Sequence, residues 1–235
     1  MNKVIKSFLF TSFAFSALFV VSAVTANGQG ALGQILNRMD AHYRGLNSLN
    51  SNIVMVKTDA ALGAAGNVET VGTVSFIPER KPGKMYVRLD WTKPKESMIV
   101  IGDDYRLINY TTNTALCGKK DDTKTNAKVA GPLSFIGMSK EQLKANYSVI
   151  IASKDEQKLS DGTLTMHIRL TPKARSEYKY AELWVDGNGL PRQAMVVSNN
   201  GDSTSILIRN PSTNGKVDRS TFTLALPKGM KCTQA

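Results

Sequence analysis

A two-residue alternation of apolar and polar side chains constrains the fold of this chain most strongly. It is clearest where Met85, Val87, Leu89 and Trp91 alternate with more polar neighbours, and residues 163–170 repeat the pattern. Successive side chains of a β-strand point to opposite faces of the sheet, so each such segment predicts a strand with one apolar face and one wet face.

Short turns separate most of the strand candidates, among them Gly102-Asp103-Asp104 and residues 186–189 and 199–202. Because such turns are too short for crossover connections, the strands should pair antiparallel. A sheet with this many strands twists and curls. We therefore predict a mainly β fold, an incomplete antiparallel barrel of about eleven strands curved around its apolar face. The candidates are residues 52–58, 68–77, 84–91, 97–101, 105–111, 113–117, 147–153, 163–171, 178–186, 192–198, 203–209 and 220–225.

The first 26 residues have the composition of a secretory signal peptide. Lys3 and Lys6 precede an apolar run over residues 8–21, and small residues at 24–26 offer a cleavage site before Asn27. The alternative is a membrane anchor, for which the run is short against the roughly 20 residues of a span. We expect residues 27–235 to form one domain, which opens with an amphipathic helix over residues 31–49.

The alternation of apolar and polar residues is interrupted by an insert of about residues 118–146. Residues 118–130 are polar and predict an exposed loop, Pro132 opens a short apolar helical turn, and Ser139 with Gln142 forms a capping box for a second short helix. An apolar helical insert in a β chain predicts a lid, with Leu133, Phe135 and Ile136 as its covering residues. The alternative is an ordinary loop whose Phe135 fills the core.

The sequence lacks the motifs of common catalytic and metal sites. His42 and His167 have no second ligand at a metal spacing, and no nucleophile elbow, phosphate loop or dinucleotide motif occurs. We expect no enzyme, metal or cofactor, although a carboxylate pair for glycoside hydrolysis would be a spatial arrangement that spacing does not show. Cys117 and Cys232 could pair in an oxidising compartment, and the sequence leaves this open.

The formal net charge of +11 favours either anionic membranes and acidic partners or solubility alone. The basic residues are scattered and form no stripe with interleaved aromatic side chains, so we expect no nucleic-acid binding.

Seven short motifs follow one another over nearly the whole chain after the leader. They are RKPGK (80–84), WTKPKESMIV (91–100), DDYRLINY (103–110), AELWVD (181–186), GLP (189–191), VDRSTF (217–222) and PKG (227–229). In this order and spacing they resemble the LolA family of periplasmic lipoprotein carriers. The resemblance implies a half-open barrel with a helical lid, acylated lipoproteins as cargo, an inner-membrane lipoprotein-releasing transporter as donor, an outer-membrane acceptor and a periplasmic location.

The resemblance also suggests roles for single residues. In the family an Arg before the Pro helps to hold the lid shut; here Lys81 has that place and Arg80 precedes it, so both are latch candidates. Ile108 stands where the family has Trp. No lipid-anchor Cys follows the leader, so the chain is more similar to the soluble carrier, expected as a monomer, than to its membrane-bound receptor.

These observations predict a periplasmic carrier that shuttles lipoproteins from the inner to the outer membrane. Two alternatives stay open: a non-transporting sensor or regulatory module of the same fold, and a carrier of free lipids or glycolipids. The predicted lining of the acyl-chain cavity is apolar or aromatic throughout. It comprises Met85, Val87, Leu89, Trp91, Met98, Val100, Ile108, Tyr110, Leu183, Val185 and Met195.

Overall fold

The computed structural model describes residues 24–78, 85–119 and 132–234, and these residues build one large curved sheet with helices on its concave side. Helix α1 spans Val24–Gly45 and ends before the predicted residue 49, because Leu49 already begins the first strand. Asn214 caps this end: its side chain donates to the Gly45 carbonyl and accepts from the Asn47 amide.

Thirteen strands lie within the described residues, two of them, β8 and β13, without a counterpart among the sequence-based candidates. Their bounds are β1 Leu49–Thr58, β2 Val68–Ile77, β3 Tyr86–Trp91, β4 Glu96–Ile101, β5 Asp104–Asn109, β6 Thr114–Lys119, β7 Tyr147–Ile151, β8 Gln157–Lys158, β9 Leu164–Pro172, β10 Tyr178–Asp186, β11 Pro191–Ser198, β12 Ser203–Thr213 and β13 Cys232–Gln234. The short helical elements are η1 Gly63–Gly66, η2 Pro132–Gly137, α2 Lys140–Asn146 and η3 Arg219–Phe222.

The strand order is β13-β6-β5-β4-β3-β2-β1-β12-β11-β10-β9-β7, and β8 pairs with β9. All pairings are antiparallel except that of β13 with β6. The path has two free ends and does not close, which confirms the prediction of a mainly β, incomplete barrel. The predicted strand at residues 220–225 is wrong: Asp218 accepts a hydrogen bond from the Ser220 amide and begins η3 there.

Two apolar clusters occupy the concave face of the sheet. The groove cluster is formed by side chains of β1–β5 and β12 together with η2, and it includes Ile53, Val74 and Ile206. The helix cluster lies where α1 and α2 pack on β7, β9, β10 and β11, and Leu36 and Leu183 are fully buried in it. The helices thus cover one half of the concave face and leave the other half to η2.

The C-terminal segment, residues 214–234, crosses the convex face of β3–β6. Its Leu224 and Met230 pack on Ile99 and Ile108. Arg88 donates from Nη1 to the Thr221 carbonyl at 2.8 Å. An apolar patch on the outer side of the sheet is therefore covered by the chain's own C-terminal segment.

Candidate functional site

A continuous apolar surface on the concave face is the strongest candidate for a binding site. The strand register places Val87 opposite Val100 and Leu89 opposite Met98, so β3 and β4 present one joined patch within the groove cluster. Leu89, Met98 and Val100 are buried, whereas Val87 and the preceding Met85 are only half-buried. Large apolar side chains are therefore partly accessible along this patch.

Three further half-buried side chains extend the patch: Met55 on β1, Leu107 on β5 and Leu116 on β6. They were not among the predicted lining residues. Met55 lies two residues from the buried Ile53, and Leu107 lies two residues from Tyr105 of the same cluster. Because residues two apart on a strand share a face, this spacing is the sequence signal that could have identified both as lining residues. Half-buried apolar side chains of this patch thus lie on four strands, β1, β3, β5 and β6, and together with buried members on β2 and β4 they form one apolar surface on the concave face.

Trp91 forms one end of this patch. It pairs across the strands with Gly72 on β2 and packs against the groove cluster. A Cβ on Gly72 would lie 2.7 Å from Cε3 of the Trp91 ring and 2.3 Å from the Asp90 carbonyl oxygen. The absence of a side chain at position 72 therefore lets the indole lie against the β2 backbone.

The predicted lid residues lie over the concave face. Ile136 is buried in the groove cluster and Leu133 packs against it half-buried, while Phe135 belongs to the helix cluster, with its ring centroid 5.8 Å from that of Tyr147. The short helix η2 thus joins the two clusters. Phe135 fills core as the alternative interpretation predicted, and Leu133 and Ile136 cover the groove.

Helix α2 fixes the C-terminal side of this insert. The capping box predicted from the sequence is confirmed: Ser139 Oγ accepts from the Gln142 amide, and the Gln142 side chain accepts from the Ser139 amide. Lys140 Nζ donates to Asn37 Oδ1 of α1 at 2.6 Å. Residues 120–131, most of the predicted loop, lie outside the described part of the chain, as do the latch candidates Arg80 and Lys81.

Three predicted lining residues face away from the groove. Ile108 is buried on the convex face beneath the C-terminal segment, and Tyr110 packs in the same cluster. Met195 pairs with Glu182 and Ser205 and alternates with Ala194 and Val196, which are concave-facing. The assignment of these three to the groove is wrong.

Leu183 and Val185 do lie on the concave side, but within the helix cluster. Both are completely buried there, and Leu36 and Met39 of α1 belong to the same cluster. Access to them would require α1 to leave the sheet. In the described structure they are core residues.

A family model described as "Outer membrane lipoprotein carrier protein LolA" matches residues 64–225, more than half of the chain. The chain belongs to the LolA family. The resemblance found in the sequence motifs is thereby confirmed, and the fold is one related to lipoprotein-binding proteins. A comparison with curated proteins gave no match.

Solved structures share the LolA-like fold at low sequence identity. An uncharacterized conserved protein from Thermus thermophilus is 10% identical, with a TM-score of 0.53, over 87% of this chain and 99% of that chain. MucB is 16% identical with a TM-score of 0.53, over 83% of this chain and 63% of MucB. A DUF1329 family protein from Desulfovibrio piger is 14% identical with a TM-score of 0.50, over 83% and 96% of the two chains. These similarities concern the fold alone.

Outside the groove, this LolA-family chain carries a compact polar cluster on the convex face of β9 and β10. His167 stacks on Trp184 with ring centroids 4.3 Å apart, and its Nε2 lies 3.3 Å from Glu182 Oε2. Arg169 donates from Nε and Nη2 to the other oxygen of Glu182. Burial lowers the pKa of His167, and the nearby Glu182 carboxylate partly offsets this. The cluster ties two adjacent strands together.

Within residues 24–78, 85–119 and 132–234, no group of His, Cys, Asp and Glu side chains is placed to hold a metal ion. Nor does any helix in them combine the length and apolarity needed to cross a membrane. Cys117 and Cys232 form a disulfide between β6 and β13, with Cα atoms 5.6 Å apart.

Proposed function

We propose that this protein is a periplasmic carrier that binds the acyl chains of lipoproteins in the groove, receives them from an inner-membrane lipoprotein-releasing transporter and delivers them to an outer-membrane acceptor. The observation that supports it best is the joined, half-buried apolar patch beneath η2. Its accessible members are Met55, Met85, Val87, Trp91, Leu107 and Leu116.

Such a carrier must keep acyl chains out of water, because their transfer from a bilayer into water is strongly unfavourable. Each buried methylene stabilises membrane association by about 0.8 kcal/mol, so a lipoprotein with several chains does not leave a bilayer without a protein surface to receive it. Methionine side chains suit this task because they are flexible and adapt to ligands of irregular shape. Met55, Met85 and Met98 all belong to or pack against the groove cluster.

The proposed lid is the short helix η2, which lies against the groove cluster. With the groove empty, Leu133 and Ile136 cover its apolar residues, and on loading they move aside while α2 stays bound to α1 through Lys140. Lys81 and Arg80 are proposed to hold the closed lid, as the family resemblance implies. The leader over residues 1–26 is proposed to direct the chain to the periplasm and to be removed there.

Photo-crosslinking tests the proposal. A photoreactive amino acid replaces Val87 in the groove, and in a matched control it replaces Val71, a convex-face valine of β2 that is 44% exposed. We expect ultraviolet light to join the protein to acylated peptides at position 87 and not at position 71, with mass spectrometry of the adducts as the measurement.

The alternatives give different results in the same experiment. Adducts with phospholipids or glycolipids alone at position 87 would indicate a carrier of free lipids. The absence of any adduct at position 87, or equal adducts at both positions, would contradict a lipid-binding groove and favour a non-transporting module.

A further inference from the structure

A polar pair stands at the rim of the groove, at the end of the sheet where β3 passes into β4. Glu96 opens β4 and Asn109 closes β5, and the two are cross-strand partners. The Asn109 side-chain amide donates to Glu96 Oε1 at 2.6 Å. Glu96 is in phase with Met98 and Val100 of the groove cluster, so its side chain rises from the concave face.

The strand pairing places Trp91 next to Glu96. Trp91 and Glu96 are directly paired across β3 and β4. Side chains of such a pair have Cβ atoms about 4.5–5.5 Å apart and contact one another. On the other side of β3, the indole lies against the backbone of β2 at Gly72, as described above. An aromatic ring and a carboxylate therefore form one end of the apolar patch together.

The Glu96 carboxylate keeps an acceptor position available. Asn109 is itself fixed, because its Oδ1 accepts from the Thr112 amide at 2.9 Å and its amide group is thereby directed to Oε1 of Glu96. The adjacent Lys95 is directed to the ring of Tyr110, with Nζ 5.4 Å from the ring centroid. Among the described residues, no basic side chain forms an ion pair with Glu96 within 4 Å. Within the part of the chain that the structure describes, this carboxylate therefore has no counter-ion, although the chain as a whole is strongly basic.

We propose that Glu96, with Trp91 and Asn109, binds a primary ammonium group of the acylated cargo at the rim of the groove. The inference rests on the proposed function and names the polar part of its ligand. A carboxylate beside an aromatic face recognises ammonium groups through a charge-assisted hydrogen bond and a cation–π contact. Acyl chains lying on Val87 and Met98 would bring the polar end of the same molecule to this rim.

Two molecules carry such a group next to acyl chains. One is a lipopeptide whose diacylglyceryl-cysteine has a free α-amino group, and the other is a phospholipid with an ethanolamine head group. In both, acetylation of the nitrogen removes the charge and leaves the acyl chains unchanged, so that each molecule has its own neutral counterpart.

The test compares the dipalmitoyl lipopeptide with its N-acetylated form, both fluorescently labelled, in titrations of three proteins. The wild type should bind the amino form about 5- to 10-fold more tightly, the size of one partly exposed charge-assisted hydrogen bond. Glu96→Gln should bring this ratio to about 1 and leave the affinity for the acetylated form unchanged. Glu69→Gln removes an exposed carboxylate from β2 and should keep the wild-type ratio.

Phosphatidylethanolamine and its N-acetylated form make the second arm of the experiment. A Glu96-dependent ratio with the lipopeptide alone assigns the site to the α-amino group, and one with the phospholipid alone assigns it to the head group. Equal binding of amino and acetylated forms by the wild type would overturn this inference and leave the carrier function standing. Loss of both forms in Glu96→Gln would show a structural role for Glu96 and overturn it as well. A wild type that binds none of the four ligands would overturn the proposed function itself.

Discussion

At the scale of single residues, Gly189 determines how closely α1 can approach the sheet. It lies in the turn between β10 and β11 with φ at +87°, and a Cβ there would lie 2.2 Å from the carbonyl oxygen of Arg38 in α1. Asp186 shapes the same turn, because its Oδ1 accepts from the amides of Asn188 and Leu190. The turn therefore contacts the helix backbone directly, which no residue with a side chain at position 189 permits.

Gly189→Ala should lower the free energy of unfolding by about 2 to 4 kcal/mol, because the methyl group meets backbone atoms and because positive φ disfavours alanine. Gly187→Ala is the matched control in the same turn: its Cβ would have nothing within 4 Å, and its φ is not positive. Urea unfolding of both variants is the measurement. Equal losses in the two variants would contradict this account of the contact between turn and helix.

Single residues also show why part of the site escaped prediction. On β3 the alternation of Val87 and Leu89 with polar neighbours fixes the face of each side chain. On β5 Leu107 and Ile108 are both apolar, because the C-terminal segment buries the convex face as well. When both faces of a strand are apolar, the two-residue periodicity does not show which face a side chain takes. The assignment of Ile108 to the groove came from the position of a Trp in the family, and periodicity could not correct it. Met195 was assigned to the wrong side because of the same ambiguity in periodicity, within the apolar run at 194–197.

At the scale of elements, α2 is a helix of seven residues, too short to be stable on its own, and it depends on its cap and its neighbours. Its capping box and the bonds of Lys140 to Asn37 and Asp40 tie it to α1. Leu143 supplies its apolar contact in the helix cluster. These few interactions hold the base of the proposed lid.

Ser139→Ala should destabilise the protein by about 1 kcal/mol, because the Gln142 amide loses its acceptor. The effect should be concentrated in α2, so hydrogen exchange at residues 140–146 should accelerate more than exchange in β9 or β10. Ser148→Ala, at an exposed position of β7, serves as the control and should leave exchange in α2 unchanged. Uniform acceleration over the whole sheet would contradict a local role of the cap.

Elements specified by residues that are close together in the sequence were predictable, whereas elements that depend on contacts with distant parts of the chain were not. Ser139 and Gln142 are three residues apart, and the capping box was found from the sequence. Strand β13 has only three residues and exists through its parallel pairing with β6 and the disulfide to Cys117. The β-branched residues near 220–225 favoured a strand, but the Asp218 side chain begins a turn that local propensity did not reveal.

At the scale of the whole molecule, an unclosed sheet must protect its margin and its outer apolar patch. The C-terminal segment does both. It covers Ile99 and Ile108, accepts hydrogen bonds from the guanidinium groups of Arg88 and Arg106 through its carbonyls, and adds β13 beside β6. The Cys117–Cys232 disulfide fastens the far end of this segment.

Replacing both cysteines by alanine should lower the free energy of unfolding by about 3 to 5 kcal/mol, since the bond closes a loop spanning 115 residues. Urea unfolding is the measurement, and a dithiol reductant should lower the stability of the wild type to that of the variant without affecting the variant. In the variant without cysteines, residues 214–234 should also be cleaved by protease before the sheet unfolds. The hydrogen bonds from Arg88 and Arg106 then hold this segment without the covalent link. A stability loss below about 1 kcal/mol, or protease cleavage that begins in β9 and β10, would show that the C-terminal segment is held by its non-covalent contacts alone.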